Sequence, residues 1–412
     1  MSPKNIVILG GSYGGLSTTH YLLKLVLPAL PPQDAYQIIV ISASSQAMCR
    51  QACPRAMISD DMFPQDKLFV NIPDQFAQYP KDQFRFVHGT ATRVDHINRT
   101  VLIASSAAKE MTLIDFHSLV IATGASSPSP LLGLNQDEAF LHKQWDLFRS
   151  ALPAAKRIVI AGGGPAGIET AGELGEYLNG RAGWFSSKAA KPKVSITVVT
   201  SGSQILPALR PALATKAEKY LADVGVTVLK NTRVKAISPP DVGTQNVASK
   251  ATITLDNGKL LEADIYIPAT GTTPNTSFID PSLLSTDHRI NTNNTFRVEK
   301  AGPHIYAIGD VAGNVQYPTV HIILNSIPVL CANMKMDLRL AAGVEPSKVG
   351  QDRVFEEDTR INQMVPIGRS KGVGEAMGFQ LPSWLVWLVK GRDYWLWTTG
   401  MLWSGRQWGR EK

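Results

Sequence analysis

Ile158-Val-Ile-Ala161-Gly162-Gly163-Gly164-Pro165-Ala166-Gly167 is an apolar strand running into a glycine-rich turn, and Ile6-Val-Ile-Leu9-Gly10-Gly11-Ser12-Tyr13-Gly14-Gly15 is a second copy near the start of the chain. Glycine at such a junction permits the tight turn and removes the side chain that would block a pyrophosphate. It also lets a helix N-terminus point its free N–H groups at the anion. One opening of this kind is weak evidence, because glycine-rich strand-to-helix turns also serve packing. Two in register predict two bound dinucleotides. The second copy is complete at Gly162, Gly164 and Gly167, whereas Ser12 replaces the middle glycine of the first.

Working outward, each opening predicts a βαβ unit. Leu16 to Leu27 reads as a helix followed by the strand Ile38 to Ile41, and a helix from about Ala166 to Leu178 is followed by the strand Ser195 to Val199. A loop-rich insertion, Asn179 to Pro192, separates these last two. Each unit closes with an apolar strand entering Ala-Thr-Gly, at Ala122-Thr123-Gly124 and Ala269-Thr270-Gly271, and Ser126 to Pro130 reads as a crossover linker. Ile305-Tyr-Ala-Ile308-Gly309-Asp310 returns as a strand with an acid at its C-terminal end, where open parallel sheets bind ligands.

The composition sets bounds. The chain has 412 residues, 44% of them hydrophobic, which suits two or three domains with ordinary cores. Three cysteines make no disulfide framework and no zinc spacing. The net charge of +7 without a basic helix interleaved with aromatics argues against a nucleic-acid partner. The first strand opens at once, so no leader peptide is expected, and no apolar run reaches membrane-spanning length. Six of the eight tryptophans fall between Trp384 and Trp408, marking a distinct C-terminal element.

With both glycine openings, both Ala-Thr-Gly closings and Ile308-Gly309-Asp310 in order, the chain resembles the two-dinucleotide flavoproteins of the pyridine nucleotide-disulfide oxidoreductase superfamily. Within them it is most similar to the apoptosis-inducing-factor-like group, which includes ferroptosis-suppressor-type quinone reductases and type II NADH dehydrogenases. Lys390-Gly-Arg392-Asp393 ahead of an aromatic stretch carries the similarity to the terminal segment of the quinone reductases. The resemblance implies an α/β fold with two Rossmann-like domains and a small C-terminal α+β element. The FAD-binding domain would be discontinuous, residues 1–125 and 285–345. The NAD(P)H-binding domain, 126–284, would be inserted in it, and 346–412 would form a Trp-rich acceptor-site element.

The site residues follow from the same resemblance. Gly10, Gly11, Ser12, Tyr13, Gly14 and Gly15 would hold FAD with Thr123, Gly124, Gly309 and Asp310, the last accepting ribityl hydroxyls. Arg55 matches an arginine near the flavin that could pair with its pyrophosphate, a solvated surface arginine being the alternative. The backbone at Ala91 matches an adenine contact. Gly162, Gly164 and Gly167 would hold NADH or NADPH. Glu169 matches a glutamate between the cofactors, against the alternative of an exposed first-turn acid. Lys390 could orient or protonate the acceptor. Ser42 and Thr200 stand where Rossmann units usually carry an acid for ribose hydroxyls, so the nucleotide preference stays open.

The implied activity is transfer of electrons from NAD(P)H through FAD to a small quinone-like acceptor, in a cytoplasmic protein that touches a membrane peripherally through its tryptophans. Those tryptophans could instead pack the domain or a homodimer face. A flavin-dependent oxidase or dehydrogenase of a small metabolite is the alternative activity, and a disulfide reductase using Cys49 and Cys53 is a third. His321 reads as a core histidine or a proton donor.

Overall fold

The computed structural model describes residues 3–31, 36–106, 110–182, 192–316 and 318–410. Most of the insertion expected between Asn179 and Pro192 lies outside them. The fold is α/β, built on two parallel sheets.

The first sheet has seven strands in the order Ile305–Ala307, Ser118–Ile121, Lys4–Leu9, Tyr36–Ser42, Phe84–Asp95, Thr100–Ser105, Met111–Asp115. The first five run parallel, and the last two add antiparallel. Ile6, Val7, Ile8 and Leu9 are all buried, as expected of a parallel strand covered on both faces. Each such side chain contributes about 1.5–3 kcal/mol by leaving water. The helix Tyr13–Tyr21 continues as a wider turn, Leu22–Val26, until Pro28 ends regular winding. It packs against the long helix Val320–Ala341, capped by Thr319, whose side chain accepts from the Ile322 amide.

The second sheet repeats the plan with four parallel strands, in the order Val226–Leu229, Ser195–Val199, Arg157–Ala161, Ile265–Pro268. Its helix Pro165–Asn179 begins with Pro165, whose missing N–H costs nothing at that position. The strand Ala251–Leu255 belongs to a separate three-stranded antiparallel sheet, between Val234–Ser238 and Leu260–Ala263.

The stretch read as a crossover linker is partly a strand. Ala125–Ser126 pairs antiparallel with Thr273–Pro274, so the exits from the two Ala-Thr-Gly turns form one ribbon between the sheets. Asn275 fastens it: its Nδ2 donates to the Thr123 carbonyl (2.9 Å), and its Oδ1 accepts from Ser126 Oγ (2.7 Å).

The C-terminal region begins with a three-stranded sheet, Gln363–Ile367, Lys371–Ala376 and Phe379–Gln380. Ser383–Val386 and a wide turn, Trp387–Gly391, follow, then the helix Leu396–Trp403. That helix docks on the first unit through His20, whose Nε2 lies 2.7 Å from the Trp403 carbonyl and whose Nδ1 lies 2.9 Å from the Tyr79 hydroxyl. Among the described residues no helix is long and apolar enough to cross a membrane.

Candidate active site

The two glycine turns are near-copies in three dimensions. Gly10 has φ +120° and Gly162 has φ +128°, and a Cβ on either would meet a carbonyl oxygen, of Ala122 at 2.2 Å or of Ala269 at 2.1 Å. A Cβ on Gly15 or Gly167 would strike the carbonyl of Gly10 or Gly162, which locks helix to strand. Gly164 faces open space, and so do Gly124 and Gly271 in the Ala-Thr-Gly exits. Neither helix start carries a side-chain cap, so first-turn amides remain available to an anion. This cradle, which side chains would fill, fits two dinucleotides.

The missing acids have a local explanation. A Cβ on Gly11 would lie 2.5 Å from Ser42 Oγ, and one on Gly163 would lie 2.6 Å from Thr200 Oγ1. Ser42 and Thr200 therefore press against the glycine turns, where longer carboxylates would have to point elsewhere. A carboxylate does reach the first region, from outside it. Glu138, at the start of the helix Glu138–Ala151, accepts from Ser44 Oγ (2.6 Å), from the Ser45 amide (3.2 Å) and from the Ser45 hydroxyl. Burial works against its charge, but the serine hydrogen bonds win and hold its carboxyl below the usual value.

A cavity of about 400 Å³ lies where the parts meet. Ser12, Tyr13 and Gly14 of the first turn line it, with Thr123 and Gly124 of the first exit and Gly309 and Asp310 of the returning strand. Pro165 brings in the second turn, and Lys390 and Trp395 close the wall from the C-terminal element. Burial pushes the Asp310 carboxyl up, and Arg50, 3.9 Å away, pulls it part of the way back. Arg50 Nη1 also donates to the Ala125 carbonyl (2.8 Å).

Lys390 and Glu169 form a buried ion pair on this wall. Nζ donates to Glu169 Oε1 (2.5 Å) and to the Met364 carbonyl (3.0 Å), and lies 5.2 Å from the Trp395 ring centre. Glu169 is 4% exposed, so the surface-acid alternative fails, and burial pushes its carboxyl up against the pull of Lys390.

Two expectations need correction. Arg55 neither lines the cavity nor lies on the surface: it is buried, with Nε and Nη2 on the two oxygens of Glu173 (2.9 and 2.7 Å) and Nη1 on the Arg392 carbonyl (3.1 Å), so that every guanidinium nitrogen is taken. Arg50, which the sequence reading passed over, is the arginine that faces the cavity. His321 is not a core histidine: it is exposed, lines the cavity and sits 3.0 Å from the Asn325 amide nitrogen. Ala91 lies outside the cavity, paired with Ile103 beside an irregularity in its strand.

Cys49 and Cys53 are free thiols, both buried. Burial pushes both up, Cys53 to about 12, which suppresses the thiolate that disulfide exchange requires. The tryptophans divide. Trp403 and Trp408 are buried against Tyr13 and Tyr21, whereas Trp384 (64% exposed), Trp397 (59%) and Trp387 face solvent. Arg50, Asn275 and Trp395 are among the cavity residues that sequence alone missed. Asn275 carried a usable signal, its place four residues past the second Ala-Thr-Gly.

Comparison with known proteins gives the family. The family model described as pyridine nucleotide-disulphide oxidoreductase matches residues 4–328. The oxidoreductase phnG of Penicillium herquei is 61% identical over 99% of this chain and 98% of its own. Human ferroptosis suppressor protein 1 is 24% identical over 94% and 93% of the two chains. Among solved structures, the sulfide:quinone oxidoreductase of Aquifex aeolicus superposes with a TM-score of 0.71 at 16% identity, covering 98% of this chain and 92% of that one. NDH2 of Plasmodium falciparum, in complex with NADH, gives 0.65 at 14% identity and 99% of both chains. The chain belongs to the pyridine nucleotide-disulphide oxidoreductase family, as a flavoprotein oxidoreductase that uses FAD and NAD(P)H.

Proposed function

We propose that the protein passes electrons from NAD(P)H to a quinone-like acceptor. The observation that carries this reading is one cavity lined by the first glycine turn and by Pro165 at the end of the second, and closed by Lys390 and Trp395. Human ferroptosis suppressor protein 1 matches the chain over nearly its whole length, and the Aquifex structure of the same fold is a sulfide:quinone oxidoreductase by name.

In this reading residues 1–125 and 285–345 form the FAD unit and 126–284 the NAD(P)H unit. Bound FAD supplies the redox chemistry, so the side chains bind, orient and supply protons. The amides of Tyr13, Gly14 and Gly15 and those of Ala166 and Gly167 would hold the two pyrophosphates, and Asp310 would accept from ribityl hydroxyls. Arg50, not Arg55, offers the nearby cation. Trp395 gives a flat acceptor a face to lie against, and the Lys390 ammonium can donate to a carbonyl oxygen. Glu169 keeps that ammonium aimed. The buried thiols disfavour disulfide turnover.

The test is anaerobic mixing with NADH or NADPH, followed by a soluble ubiquinone analogue, a small disulfide or O2. Quinone should be the fastest acceptor. Lys390→Met should slow that step at least about tenfold, the loss of one charge-assisted hydrogen bond, and Cys49→Ser should leave it unchanged. Faster turnover of O2 with no response to quinone would favour the oxidase reading.

A further inference from the structure

We infer that Arg55 is a positioning residue that holds the turn presenting Lys390 and Trp395 to the cavity. The inference rests on the acceptor reading above, and its geometry is independent of it.

Arg55 belongs to the short helix Cys53–Ala56 in the first unit, Glu173 to the helix Pro165–Asn179 of the second, and the turn they hold to the C-terminal element. Beyond its forked pair with Glu173, Arg55 donates from Nη2 to the Gly391 carbonyl (2.9 Å) and from Nη1 to the Arg392 carbonyl (3.1 Å). These carbonyls follow directly on Lys390, at the end of the turn Trp387–Gly391, where backbone acceptors have no helical partner. The guanidinium also lies 4.8 Å from the Tyr394 ring centre, and the Tyr394 hydroxyl donates to the same Glu173 oxygen (3.0 Å).

The held segment needs holding. Tyr394 and Trp395 are consecutive non-glycine residues with φ +53° and +68°, a left-handed pair that side chains disfavour. Such a conformation persists where its surroundings over-determine it. Tyr394 is buried and fixed at both ends, its amide donating to the Lys390 carbonyl (2.6 Å) and its hydroxyl to Glu173. The reversed chain then places the Trp395 ring against Lys390 Nζ. Glu173 stands one helical turn beyond Glu169, so a single helix face secures the turn and receives the ammonium it carries. A planar, five-donor guanidinium serves four acceptor oxygens in this way, and a lysine ammonium in its place could not span them.

The experiment compares Tyr394→Phe, which removes one hydroxyl, with Arg55→Lys, which keeps the charge and loses the fork. Bound FAD per chain and the thermal midpoint report on the fold. Anaerobic reduction by NAD(P)H and steady-state turnover of a soluble ubiquinone analogue report on the two half-reactions. Both variants should retain FAD and be reduced within about twofold of the wild-type rate, while KM for the quinone rises about tenfold or more, as small misplacements of an orienting group produce. An unchanged KM in both variants, or a loss of both half-reactions in step with the thermal midpoint, overturns the positioning role. Absence of quinone turnover by the wild type instead refutes the acceptor assignment.

Discussion

Single side chains at the ends of the second strand in each unit decide what the nucleotides meet. Thr200 turns its hydroxyl toward Gly163 and the Gly202 amide (3.4 Å), and no acid follows it before the next helix. A 2′-phosphate placed beside Thr200 would therefore meet no like charge from this segment. Ser201→Asp should introduce one and lower kcat/KM for NADPH about tenfold relative to NADH, from roughly 1.4 kcal/mol of repulsion, which steady-state kinetics with both nucleotides would measure. An equal loss with both would mean that the ribose lies elsewhere. At this scale the sequence was readable wherever a residue type has one steric use. Gly10, Gly15, Gly162 and Gly167 each exclude a Cβ that would overlap backbone, so their spacing alone announced the turns. Arg55 was not readable. Its partners Glu173, Gly391 and Arg392 lie far along the chain, and only folding shows that its guanidinium is fully engaged.

Among the elements, the helix Leu396–Trp403 shows how the C-terminal region is tied to the first unit. Its docking contact is His20, a neutral imidazole between the Trp403 carbonyl and the Tyr79 hydroxyl, with Lys24 Nζ donating to the Gly405 carbonyl (2.7 Å). Burial holds the His20 imidazole down to about 4. A depressed folded value means that the contribution is complete above the unfolded value near 6.5 and is lost as pH falls toward 4. The full difference corresponds to about 3 kcal/mol. Urea unfolding at pH 7 and pH 4.5 should show a larger loss for the wild type than for His20→Gln, which lacks the titration; equal losses would rule out His20 as the sensor. Elements with strong periodicity were legible, including the helix Pro165–Asn179 and the strands around it. The ribbon strand at Ala125–Ser126 was not, because Ser126 to Pro130 has the composition of a linker and its pairing partner, Thr273–Pro274, is remote in sequence.

For the whole molecule, the exposed apolar groups gather in the C-terminal region, with Trp384, Trp387, Leu388, Trp397 and Met401 facing solvent in the segments that carry Lys390 and Trp395. Exposed indoles in a segment that also carries Arg392 and Arg406 suit a membrane interface. Replacing Trp384 and Trp397 together by Gln should reduce co-sedimentation with anionic phosphatidylserine vesicles at least about threefold, while leaving FAD content unchanged. Equal sedimentation would point to packing between copies of the chain instead. The plan of two sheets was legible from one repeated motif, whereas the cavity, assembled from stretches scattered from Ser12 to Trp395, emerged only in three dimensions. The ribbon adds something further. Because the chain leaves and re-enters the first unit through adjacent antiparallel strands, with Cα atoms about 4.5–5.5 Å apart, everything between Ser126 and Thr273 is a cassette. A different segment could enter at that seam without rethreading a single strand of the first sheet, provided it kept carboxylates for Arg55 and for Ser44 and Ser45.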